Sequence, residues 1–158
     1  MNRDRDVLVL MLTSHGNREG LAVTDGPLIR DALAPSDLQR VLDEAQIRWR
    51  VIVVSACYSG VFIPKLQSDT TLVITAADEN HTSFGCADNR DLTWFGEALL
   101  QDALPQACSL SFAFQDASWL IRRREAEQGM IHSNPQMFIG AQMQEKLDQV
   151  DITSRKCR

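Results

Sequence analysis

The sequence predicts a single α/β domain with a mostly parallel sheet. Residues 7–12, 51–54 and 72–75 are unbroken apolar runs rich in branched side chains. Runs without alternation suit strands covered on both faces, as in a parallel sheet. The segment between the first two runs carries a helical pattern, and a crossover of that kind is what joins parallel strands. Finally, 158 residues with 44% hydrophobic and 23% charged content suffice for one core. No apolar run approaches the roughly 20 residues that span a bilayer.

The elements follow in order. The strand at 7–12 is succeeded by two short apolar segments, 21–23 and 27–29, which flank Asp25-Gly26, a hairpin turn signal. Ser36, Asp37, Leu38 and Gln39 read as a capping box opening a helix, with Leu38, Val41, Leu42 and Ala45 on one face. The second strand, 51–54, leads into a short helix at about Ser59–Phe62, and the third strand is 72–75. Leu92, Phe95, Ala98, Leu99 and Ala103 mark one later helix; Leu110, Ala113, Phe114, Ala117, Leu120 and Ile121 mark another. Met137, Phe138 and Ile139 form a last strand after Asn134-Pro135, closed by Gly140. Residues 1–148 make one domain, and 149–158 are read as a flexible polar tail.

Charge and cysteine usage narrow the function classes. The net charge is −5, and the one cationic cluster, Arg122-Arg123-Arg124, is followed by Glu125 and Glu127. That reads as a solvated helix face, so no nucleic-acid partner is expected. The start of the chain does not have the pattern of a signal peptide, and no membrane segment is evident, so a soluble, cytoplasmic protein is the default expectation. Cys57, Cys86, Cys108 and Cys157 are widely spaced, without a disulfide-framework or metal-ligand pattern. Cys86 reads as a packing residue beside Phe84. His81 with Asp78, Glu79 and Asp88 reads as a solvated loop rather than a metal site. His132 reads as a turn residue, and Trp49, Trp94 and Trp119 as core. No cofactor and no metal are implied.

The chemistry sits where two apolar runs stop. The first ends in Thr13-Ser14-His15-Gly16, the second in Ser55-Ala56-Cys57-Tyr58-Ser59-Gly60. Residues just past the carboxyl ends of parallel strands face the ligand crevice of an open sheet. Neighbouring strands would therefore deliver His15 and Cys57 side by side. A thiolate is a strong nucleophile, and an imidazole beside it supplies acid/base catalysis. The N–H groups of Gly16 and Cys57 are natural oxyanion donors. Taken singly, a cysteine or a strand-end histidine is more often structural; the joint pattern favours catalysis.

An apolar block with His-Gly, followed by an apolar block with Ala-Cys, resembles the caspase-like cysteine peptidases. Within them it looks most like the legumain family, peptidase family C13, particularly its bacterial members. Val73-Ile74-Thr75-Ala76-Ala77, Ser83-Phe84-Gly85-Cys86 and Thr93-Trp94-Phe95-Gly96 extend the resemblance, which covers about residues 7–140. It implies a caspase-like three-layer α/β/α fold and a cysteine endopeptidase acting on peptides or proteins, cleaving after Asn and sometimes Asp, or a related transamidase. By position, Cys57 is the nucleophile, His15 the general acid/base and Gly16 an oxyanion donor. Ser83, Tyr58 and Glu97 are the substrate-binding candidates. Tyr58 stands where legumains carry an acidic residue, and Ser14 where they often carry an aspartate.

The caspase-like fold normally places a strand, a helix and another strand before the His-bearing strand, and this chain begins almost on that strand. Two expectations follow. The uncovered sheet edge offers a surface for pairing with a second copy, a homodimer. The alternative function is a catalytically inactive caspase-like binding module or a truncated fragment.

Overall fold

The computed structural model describes residues 2–25, 29–86 and 91–149. In chain order the elements are β1 (Val7–Thr13), β2 (Gly16–Asn17), β3 (Gly20–Asp25), β4 (Ile29–Leu33), α1 (Pro35–Glu44) and β5 (Trp49–Ser55). A 3₁₀ turn (Ser59–Phe62) then runs into α2 (Ile63–Leu66), followed by β6 (Thr71–Thr75) and α3 (Trp94–Gly96). The helix begun by α3 continues in π geometry over Glu97–Ala103, with Leu104 N–H donating to the Leu99 carbonyl. Last come α4 (Leu110–Glu127), β7 (Gln136–Ile139) and α5 (Ala141–Gln149).

The main sheet has the order β1-β5-β6-β7. β1 and β6 flank β5 in parallel, and β7 joins β6 antiparallel. Alternate residues of β5 and β6 point to opposite faces, as the strand period requires. Trp49, Val51, Val53, Leu72 and Ile74 pack with Phe95, Ala98, Leu99, Ala113, Ala117, Ile121 and Met143 from the helices after β6. Ile52, Val54 and Val73 pack with Leu38 and Leu42 of α1 and with Phe62 and Leu66. The central strands are therefore buried on both sides, which is why their sequences carry no polar alternation. The result is the α/β/α layering expected of a caspase-like fold.

A smaller antiparallel sheet, β2-β3-β4, projects between β1 and α1. It contains the expected hairpin, whose turn at 26–28 lies outside the described residues. So does most of the tail expected at 149–158; Gln149 itself ends α5.

Several expectations are corrected. The capping box is not used. Ala34 is the N-cap, with no side-chain cap bond, and the helix starts at Pro35. Proline lacks the N–H that would be unsatisfied in a first turn and has a helical φ built in, so it moves the start ahead of Ser36. β1 is not covered on both faces: Val9 is 68% exposed, beside an apolar cavity of about 510 Å³ lined by Val7, Met11, Val51, Val53 and Leu104. Branched apolar sequence reports a strand, but neighbours decide its cover. Trp119 is 59% exposed with the Arg123 guanidinium over its ring, rather than core. Cys57 and Cys86 are free thiols, whereas Cys108, exposed just ahead of α4, is disulfide-bonded. α5 has no counterpart in the sequence reading, because only Met143 and Leu147 mark its apolar stripe; Met143 is fully buried.

Among the described residues, no helix is long and apolar enough to cross a membrane.

The contrast between the central and edge strands gives a stability prediction. Ile74→Ala should destabilise the fold by about 2–5 kcal/mol, the usual range for truncating a fully buried side chain. Val9→Thr should shift it by no more than about 0.5 kcal/mol, as at exposed positions generally. Urea unfolding midpoints of the two variants check this.

Candidate active site

β1 and β5 pair in a parallel register that sets Thr13 opposite Ser55. His15 and Cys57 each follow two residues later, so the register carries both to the same rim of adjoining strands. Paired strands lie about 4.8 Å apart, which makes the two turns neighbours. Their contact is direct: a methyl group at Gly16 would collide with the Cys57 carbonyl oxygen and the Ala56 side chain. Glycine is needed at 16 because the two strand-end turns approach too closely for any side chain.

The His15 turn is tied to β3. Ser14 Oγ donates to the Ala22 carbonyl at 2.7 Å, and Ala22 N–H donates to the His15 carbonyl at 2.8 Å. The imidazole is exposed and borders two cavities. The larger, about 320 Å³, is shared with Thr13, Ser14, Cys86, Leu92 and Thr93.

Cys57 is half-buried at the start of a sharp turn. Tyr58, next in sequence, has φ 57°, a left-handed conformation uncommon outside glycine. It is held there by its N–H donating to the His81 carbonyl at 2.9 Å. Arg18 lies over its ring at 5.7 Å. Ser83 brackets the thiol: its N–H donates to Cys57 Sγ at 3.3 Å, and the thiol faces the Ser83 carbonyl at the same distance. Cys86, three residues on, is exposed rather than packed in the core. Its thiol pKa is raised by partial burial and, second, by the charge of Cys57.

The remaining substrate-binding candidate lies elsewhere in the local structure. Glu97, half-buried, accepts a hydrogen bond from Arg124 Nη1 at 3.0 Å, and that guanidinium also lies over Trp94 at 5.8 Å. Tyr58 and Ser83 thus touch the Cys57 turn, while Glu97 is engaged with α4. A link from β5 to α3 runs through Ser55 and Thr93, whose hydroxyls are 2.8 Å apart; Thr93 also caps α3 by accepting from Gly96 N–H.

Asp78, read from sequence as part of a solvated loop, is buried. Its Oδ2 accepts from Asn134 Nδ2 at 2.9 Å, and its Oδ1 accepts from Asn80 N–H at 2.8 Å and faces His81 Nδ1 at 2.7 Å. Burial alone would raise its pKa, but the hydrogen bonds from Asn134, Asn80 and His81, with the His81 charge, together hold it below the ordinary 3.8. Sequence gave no signal for this cluster, because Asn134 belongs to the segment before β7. His132, read as a turn residue, is bound through Nδ1 to the buried Glu125 carboxylate. Among the described residues, no group of three or more His, Cys, Asp or Glu side chains could hold a metal ion.

A family model described as the peptidase C13 family matches residues 1–146. The chain belongs to the peptidase C13 family. Membership makes it legumain-like and points, at the level of class, to a cysteine peptidase, a hydrolase with protein substrates. No curated protein matches the sequence. The C13 assignment agrees with the fold, in which the Cys-bearing and His-bearing strands are neighbours.

Asp78 supplies a pH prediction. A carboxylate titrating below 3.8 contributes its full stabilisation above that value and loses it as the pH falls through the lower folded pKa. Asp78→Asn should therefore lower stability at neutral pH and cost progressively less in acid. Urea midpoints of wild type and variant, measured at neutral pH and near pH 3, should converge on acidification. At Gly16, substitution by Ala should cost about 1–3 kcal/mol, the usual penalty of overpacking, and thermal unfolding would read it.

Proposed function

We propose that this C13 member is a cysteine endopeptidase that hydrolyses peptide bonds after Asn or Asp through a Cys57–His15 dyad. The observation that carries the reading is the shared register: His15 and Cys57 stand at equivalent positions past Thr13 and Ser55, with Gly16 packed against the Cys57 backbone.

The chemistry is acyl transfer. The Cys57 thiolate attacks the scissile carbonyl carbon, forming the C–S bond as the carbonyl π pair moves to oxygen. The N–H groups of Gly16 and Cys57 stabilise that oxyanion. Collapse breaks the C–N bond, and His15, holding the proton taken from the thiol, gives it to the leaving amine. Water, deprotonated by His15, then attacks the thioester, releasing the carboxylate product and restoring the thiol. Ser83 and Tyr58, already in contact with the Cys57 turn, border the substrate, and Glu97, paired with Arg124, is the third substrate-binding candidate. The left-handed Tyr58 supports the assignment, since residues in sparsely populated backbone conformations cluster at functional sites.

A panel of fluorogenic peptides differing only at P1 tests the proposal. Wild type should turn over the Asn or Asp members, and Cys57→Ala should not. His15→Ala should lower kcat by about 10²–10⁴-fold, the range for a removed general acid/base. Equal turnover by wild type and Cys57→Ala would overturn the assignment.

A further inference from the structure

We propose that Asp78 is a positioning residue for Cys57. It fixes the segment whose backbone holds the Cys57 turn on one side and the Cys57 sulfur on the other. The kinetic part of this inference rests on the peptidase reading above; the structural part does not.

The Cys57 thiol is held in place from the segment that follows β6. Backbone groups of two residues hold it, and both residues lie a few positions past Asp78. The His81 carbonyl accepts the Tyr58 N–H, which keeps the residue after Cys57 in its left-handed conformation. The Ser83 N–H and carbonyl both face Cys57 Sγ at 3.3 Å. Residues 79–86 contain no helix or strand, so no regular ladder fixes His81 and Ser83. Trp94 N–H holds the far end of the segment at the Phe84 carbonyl, 3.2 Å away, and at the near end Asp78 supplies side-chain bonds. Its Oδ1 accepts Asn80 N–H and meets His81 Nδ1, closing a tight turn over the residues that lead to Ser83.

Asp78 is itself anchored from outside this segment. Its N–H donates to the Ser133 carbonyl at 3.1 Å, and its Oδ2 accepts from Asn134 Nδ2. Asn134 has φ 58°, and the Ser133 N–H donates to the Glu125 carboxylate, which is 1% exposed. α4 therefore holds 133–134, which holds Asp78, which holds His81 and Ser83. The Cys57 turn meets the same point a second way, because a methyl group at Gly60 would collide with the backbone of Asp78 and Glu79. Three strand-end segments, after β5, after β6 and before β7, meet at Asp78, the first at its backbone and the last at its buried carboxylate. A carboxylate suits this place because it accepts several hydrogen bonds at once and offers no competing donor.

The test uses the full chain and two readouts. Amide hydrogen exchange should rise at Tyr58 and Ser83 by about tenfold or more in Asp78→Ala, while β5 and β6 amides at Val53 and Ile74 stay as in wild type. The double variant Asp78→Asn with Asn134→Asp reverses the polarity of the inter-segment bond and should recover part of that protection. His81→Asn, which keeps a side-chain N–H donor at a half-exposed site, guards against a failure of Asp78→Ala to fold and should show a milder rise at the same two amides. In peptide turnover, Asp78→Ala should lose kcat by on the order of 10–100-fold with a smaller change in KM, as expected when a reacting group is misplaced. Unchanged exchange at Tyr58 and Ser83, or a uniform rise across β5 and β6, would overturn the proposal. So would wild-type kcat in Asp78→Ala. Were wild type and Cys57→Ala equally inactive, the peptidase reading would fall, and the exchange measurements alone would decide whether Asp78 holds Cys57.

Discussion

The parallel pairing of β1 with β5 is the constraint on which the rest of the molecule depends. Its register sets Thr13 against Ser55, and everything beyond those residues inherits the match. A slip of one residue would turn every side chain of the strand to the other face, sending Leu8, Leu10 and Leu12 away from the cluster they share with Ile52 and Val54. It would also part the two turns that now touch through Gly16. Core packing and site geometry are fixed by one set of backbone bonds.

Around that pairing, the molecule spends its irregular backbone at one end. The turns after β5 and β6 and the segment before β7 have no ladder of their own, so side chains hold them: Ser55 to Thr93, Ser59 to Ala77, Asp78 to Asn134; after β1, the bond from Ser14 to Ala22 adds to the β2–β3 ladder. Such segments carry function because a rigid scaffold positions them while leaving their groups accessible. β1 is the thinly covered edge of the described sheet. It has one strand neighbour in the main sheet, and Val9 is open to solvent. Strength in this fold is concentrated in β5 and β6.

Much of this was legible in the residue order. The apolar runs at 51–54 and 72–75 announced strands buried on both faces, and Ile52, Val54, Val73 and Ile74 are so. The helix of Leu38 and Leu42 was marked by its spacing, as was that of Ala113, Ala117 and Ile121. Local signals failed where a competing local effect was stronger, as Pro35 displaced Ser36 at the start of α1. They also failed where burial depended on distant chain: the exposure of Val9 and Trp119 and the burial of Asp78 and Glu125 are set by partners many residues away.

The sequence by itself determined the class of the fold, because strand and helix periods are local properties. It also marked His15 and Cys57, because each interrupts an apolar run at its carboxyl end. The tertiary structure alone decided what surrounds them. Tyr58 in a left-handed turn, Ser83 against the sulfur, and Asp78 joined to Asn134 arise from contacts between segments far apart in the chain. No local pattern encodes such contacts, since a hydrogen bond between distant residues leaves no periodicity in either one.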